Sequence, residues 1–95
     1  MVEENFMPEL ASFYGIKVMM YTDDNRQHHL PHIHVWYQGE EAVLSIPSGR
    51  LLAGDLPTKK LRMVRTWMDI HETELLDCWE NAVNGVAPQK IEPLR

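Results

Sequence analysis

Apolar and polar residues alternate through much of the first half of the chain and recur at helical spacing through the second. Residues 13–21 carry aromatic and β-branched side chains with Ile16, Val18 and Met20 on one face, which predicts a first strand. Pro31 has no donor for a sheet ladder and biases Leu30 toward extended geometry, so a loop is expected to become a second strand at about residues 32–37. Strand alternation then puts His32 and His34 on one face and Ile33 and Val35 on the other. The Gln38-Gly39-Glu40-Glu41 stretch suits a tight hairpin into a third strand at residues 42–46. Pro47-Ser48-Gly49 turns the chain into a short fourth strand at residues 50–54.

The period then changes. Asp55 is an N-cap candidate and Pro57 a first-turn proline. Leu61, Met63, Val64, Trp67, Met68 and Ile70 fill about half of a helical circumference at ~100° per residue, with Lys59, Arg62, Arg65, Thr66 and Asp69 on the rest. Leu75, Leu76, Cys78, Trp79, Ala82 and Val83 continue a helical pattern to Gly85, which suits the left-handed position after a helix end. This second stripe is rotated by ~60° from the first, so a break near His71-Glu72-Thr73 is expected in preference to one long helix. The fold expected is α+β: a three- to four-stranded antiparallel meander followed by two helices packed on one face, with the histidines on or beside the other. Residues 1–6 read as a mobile leader, residues 7–95 as one domain with an extended, proline-containing tail.

Composition narrows the classes. No apolar run has the length of a membrane span and the acidic start is unlike a secretory signal, so a cytoplasmic protein with no membrane partner is expected. The net charge of −5 argues against generic attraction to a polyanion, although a local basic patch remains compatible with RNA or DNA. The single cysteine, Cys78, has no partner in the chain and sits among apolar helical positions, where it reads as a small buried filler.

The candidate chemistry begins with the run from His28 to His34, which holds four of the five histidines. One well-placed imidazole suffices for general acid–base catalysis, and His32 and His34, with His28 from the approach loop, are the catalytic candidates. Beside Arg50 or Arg62 such groups could cleave RNA, one removing the 2′-hydroxyl proton while a cation stabilises the transition state. The same two strand histidines are half of a divalent-metal site such as zinc, completed by His28, His29, Asp23 or Asp24; otherwise no cofactor is expected. An ordinary histidine-rich turn, hydrogen-bonded across a wet sheet face, is the plain alternative. Lys59, Arg62 and Arg65 segregate on the polar side of the first helix and are the nucleic-acid candidates, against a merely solvated helix face. Trp36 or Tyr37 can stack on bases, but alternation turns one of the pair to the core. His71 reads as a cap or kink, and Glu72, Glu74, Asp77 and Glu80 as a solvated acidic face. Nucleotide-loop, nucleophile-elbow and paired-cysteine signatures are missing.

Several segments carry a resemblance: Met7-Pro8-Glu9, Gly15-Ile16, Met20-Tyr21, the run from His28 to Val35, Gly39-Glu40-Glu41-Ala42, the run from Leu51 to Pro57, Trp67 and Trp79-Glu80. Together, over about residues 7–91, they resemble the small bacterial and archaeal family known as domain of unknown function 4160 (DUF4160). Many members read histidine, any residue, proline, proline, histidine, aromatic, histidine; here Leu30 replaces the first proline and Ile33 the aromatic, leaving His28, His32 and His34 as the matching imidazoles. The resemblance implies a gene neighbourhood like a toxin–antitoxin pair, with this chain similar to the toxin and a cognate small protein from the neighbouring gene as partner. A non-enzymatic antitoxin or transcriptional-regulator-like protein is the alternative, and a homodimer is compatible with either.

Overall fold

A computed structural model of the protein describes residues 8–22 and 30–95. The expected leader and the candidates Asp23, Asp24, His28 and His29 lie outside the described residues. Five strands precede two helices: β1 (Glu9–Phe13), β2 (Ile16–Met19), β3 (His32–Tyr37), β4 (Glu40–Ser45), β5 (Leu51–Gly54), α1 (Thr58–Ile70) and α2 (Glu72–Val83). The strands form one antiparallel sheet in sequence order, so the expected meander is present and β3 is its middle strand.

The strand count is five rather than three or four, because the segment expected as one strand over residues 13–21 is the second half of a hairpin. Tyr14 (φ 51°) and Gly15 (φ 79°) both take positive φ, the geometry of a two-residue turn whose twist matches antiparallel strands, and they reverse the chain. Phe13 consequently pairs with Ile16. Gln38 (φ 47°) and Gly39 (φ 81°) repeat the device between β3 and β4, so β4 begins at Glu40 and Tyr37 pairs with Glu40.

Ile16, Val18, Met20, Ile33, Val35, Ala42 and Leu44 line the inner face of the sheet, and Leu61, Val64, Trp67 and Met68 of α1 close over them. Trp67 is fully buried. Its ring lies 5.6 Å from those of Phe13 and His71, and its indole N–H donates to the Glu92 carbonyl at 2.8 Å. The tail is thereby held along β1, where the Ile91 N–H donates to the Leu10 carbonyl at 2.8 Å.

The helix start differs from expectation. Asp55 accepts from the neighbouring Leu56 N–H at 2.8 Å, and α1 begins at Thr58 behind Pro57 without a side-chain cap. The expected break is present: His71 leaves helical geometry at φ −114°, ψ 30°, and its Nδ1 contacts the Glu74 carboxylate. Ile70, expected on the apolar face, is instead 63% exposed, because at ~100° per residue it falls outside the buried arc of Leu61, Val64, Trp67 and Met68. In α2 only Leu75 and Cys78 are fully inside; Leu76 and Val83, expected in the same stripe, are exposed. No helix among the described residues is long and apolar enough to cross a membrane.

One glycine is required by contact as well as by conformation. Gly54 has φ 69°, and a Cβ there would lie 2.1 Å from the Glu41 carbonyl oxygen. Gly39 has φ 81° and nothing within 4 Å of its would-be Cβ. Urea denaturation should therefore show Gly54→Ala losing about 2–4 kcal/mol and Gly39→Ala only about 1–2 kcal/mol. Equal losses would mean that close approach to Glu41 has no energetic weight.

Candidate acid–base site

Regular pairing of β3 with β4 over the whole of β3 fixes which side chains share the outer face. His32, His34 and Trp36 lie on it, with Lys17 and Met19 from β2 and Glu41, Val43 and Ser45 from β4 at the matching register positions. Tyr37, on the inner face with Ile33 and Val35, packs against the core, while Trp36 is exposed.

Each imidazole is held by Nδ1. His32 Nδ1 lies 2.7 Å from the Leu30 carbonyl oxygen and His34 Nδ1 lies 2.7 Å from Glu41 Oε2. A carbonyl and a carboxylate only accept, so Nδ1 is the donor in both bonds and the neutral ring carries its lone pair on Nε2. The Glu41 bond is diagonal: His34 pairs with Val43 and Glu41 with Trp36, two positions along on the same face. The two rings are 5.2 Å apart between centroids at 67°. Tyr21 stacks on His34 at 4.0 Å and 16°, and Trp79 of α2 tilts against His32 at 5.0 Å.

This face is not the wet surface that alternation alone suggests. His32 is 0% and His34 5% exposed, and Val43 and Ser45 are buried beside them. Tyr21 and Trp79 account for part of that cover, and Trp79 brings α2 to the end of the sheet where β3 starts.

The basic candidates lie elsewhere. Helix α1 covers the inner face, with Lys60 Nζ 4.8 Å from the centre of the Tyr37 ring. Arg65 Nε donates to the Gly49 carbonyl at 2.8 Å, tying α1 to the turn between β4 and β5. Lys59 and Arg62 are exposed on α1, and Arg50 is exposed after that turn. Lys59, Arg62 and Arg65 are therefore separated from the imidazoles by the sheet. Among the described residues, no three histidine, cysteine or acidic side chains are grouped to hold a metal ion.

Two contributors escaped the sequence reading. The sequence suggests a turn at Glu41, although counting strand pairs from a two-residue Gln38-Gly39 loop puts it on the face of His34. Tyr21 reads as the end of a strand, and nothing in its spacing announces a stack on an imidazole.

A five-stranded meander backed by helix α1, with two Nδ1-anchored imidazoles on the outer face of its middle strand, defines a small α+β protein with a candidate proton-transfer site. The sequence matches the family described as Domain of unknown function (DUF4160) over residues 15–80, and the chain belongs to that family. No curated protein and no solved structure matches it.

Cys78 is buried and unbridged, with Sγ 3.5 Å from the Gln89 carbonyl. Burial pushes its thiol pKa up from 9.0; the bond to Gln89 opposes this, and the nearby Asp77 and Glu74 charges add to the rise. Well below pH 9.0 the thiol is protonated in folded and unfolded chains alike. Above it, the unfolded chain releases the proton first, so stability falls as pH rises through the folded value. Denaturation midpoints measured from pH 8 to about 10.5 should decline for the wild type more steeply than for Cys78→Ser. Parallel slopes would show that the thiol does not contribute.

Proposed function

We propose that this protein is a toxin-like component of a two-gene module and cleaves RNA by general acid–base chemistry at His34 and His32. The observation that carries the reading is the 2.7 Å bond from His34 Nδ1 to the Glu41 carboxylate, beside a second imidazole. A carboxylate behind an imidazole fixes its tautomer and stabilises the cation formed when Nε2 takes a proton. His32 is oriented in the same sense by the Leu30 carbonyl.

In this reading His34 removes the proton of a ribose 2′-hydroxyl, and the oxygen attacks the adjacent phosphorus. The P–O5′ bond breaks as His32, protonated on Nε2, gives its proton to the departing oxygen. The products are a 2′,3′-cyclic phosphate and a 5′-hydroxyl, with the two imidazoles left in exchanged protonation states. Glu41 is a positioning residue. Both rings are covered in this structure, so the reaction requires the cover to open and admit the phosphodiester. The toxin-like setting is suggested by the family resemblance, which implies a gene neighbourhood like a toxin–antitoxin pair, with a cognate small protein as the inhibitor.

Induced expression of the wild type should arrest bacterial growth, and purified protein should leave 2′,3′-cyclic phosphate ends on RNA. His34→Ala should abolish both. Glu41→Gln should lower kcat by about 10²-fold with KM little changed and circular dichroism intact. Wild-type protein that is soluble, yet neither arrests growth nor cleaves RNA, would contradict the proposal and favour a regulatory binding role.

A further inference from the structure

We infer that Trp36 and Lys17 form a subsite for one unpaired base and its phosphate, extending the outer face of the sheet beyond His34. The inference rests on the RNA reading of that face and names how the strand is held there.

The three tryptophans are used differently. Trp67 is fully buried and bonded to the tail, and Trp79 is half-buried against His32. Trp36 is 39% exposed in the middle strand, and among the described residues no ring stacks on it. Two residues along from His34 on a regular strand, it stands ~7 Å away on the same face. An indole at the centre of a sheet, with its neighbours on both sides polar, is a flat surface of the kind that nucleobases stack on without regard to sequence.

Its cross-strand neighbours are Lys17 on β2 and Glu41 on β4. Glu41 is engaged with His34, while Lys17 is exposed and has no ion pair among the described residues. A phosphate beside a base on Trp36 is thus drawn to the β2 side and repelled from the β4 side. Lys17 is also diagonal to His34 in the register, so a phosphate held by it belongs to the same short segment of chain as one lying over the imidazole.

A net charge of −5 disfavours holding a long polyanion, so affinity has to come from a local pair of contacts: one ring and one cation. That combination selects a single strand. In a duplex the base faces are already stacked, whereas an unpaired base can turn onto the indole.

The test is a titration of a 5′-fluorescein-labelled heptamer of oligodeoxyuridylate with the wild-type protein at low salt, read by fluorescence anisotropy. Lacking 2′-hydroxyls, this probe cannot be cleaved by the proposed route, so binding is measured apart from chemistry. Binding should raise the anisotropy of the label, and an unlabelled RNA duplex should compete poorly. Trp36→Ala should weaken affinity about tenfold, Trp36→Phe should restore most of it, and Lys17→Ala should reduce the slope of log K against log salt by about 0.7. Equal affinity of wild type and Trp36→Ala, or no binding by the wild type, would overturn the subsite. Trp36-dependent binding in a protein that fails to cleave RNA would sustain it and remove the acid–base reading alone.

Discussion

The structure depends on one constraint: the first four residues of the middle strand, β3, are buried on both sides while carrying polar groups on one of them. A strand with aliphatic residues on both faces would meet this requirement at no electrostatic cost. Here Ile33 and Val35 do so on the inner side, and two imidazoles take the outer side. A buried ring N–H without an acceptor costs about 1–3 kcal/mol, so each Nδ1 must be met. The Leu30 carbonyl meets one and the Glu41 carboxylate the other. Burial and hydrogen bonding together turn two ordinary histidines into oriented ones.

The orientation is built from backbone devices at both ends of the β3–β4 hairpin. At one end, the Pro31 carbonyl accepts from the Ile46 N–H at 2.8 Å, so the residue that cannot donate to a ladder still anchors the strand start. At the other, the positive φ values of Gln38 and Gly39 set a two-residue turn, and the register that brings Glu41 diagonal to His34 follows. Strand β5 supports Glu41 from the far side. The Asp55 N–H donates to the Glu41 carbonyl at 3.2 Å, and the bare Cα of Gly54 lets the chain approach that carbonyl closely enough. Gly54 is thus remote from the imidazoles in sequence but coupled to the residue that holds one of them.

Much of this was legible in the residues. Alternation from His32 to Tyr37, the glycine turn after it, the helical period from Leu61 and the break at His71 each rest on local geometry, and each is present. Two features were hidden for physical reasons. The Tyr14-Gly15 turn interrupts a run whose residues all favour strands, and only the sign of φ at a non-glycine position separates a hairpin from a continuous strand. The burial of the histidine face depends in part on Tyr21 and Trp79, which reach it from other segments, and strand periodicity carries no record of what lies over a face. The basic residues of α1 form a clean polar stripe in sequence, but the sheet stands between them and the imidazoles. Stripe and cluster were each readable; their relative position was a tertiary fact.

The central claim is that Glu41 holds His34 through Nδ1, which leaves Nε2 as the nitrogen of the proposed proton transfer. Long-range proton–nitrogen correlation spectra of the histidine side chains, recorded where the rings are neutral, report that tautomer directly. The account predicts the Nδ1–H form for both His32 and His34 in the wild-type protein. In Glu41→Gln, whose amide can serve as donor or acceptor, the His34 preference should weaken while His32 is unchanged. A wild-type His34 in the Nε2–H form would contradict the account, because the nitrogen assigned to proton transfer would already carry its proton.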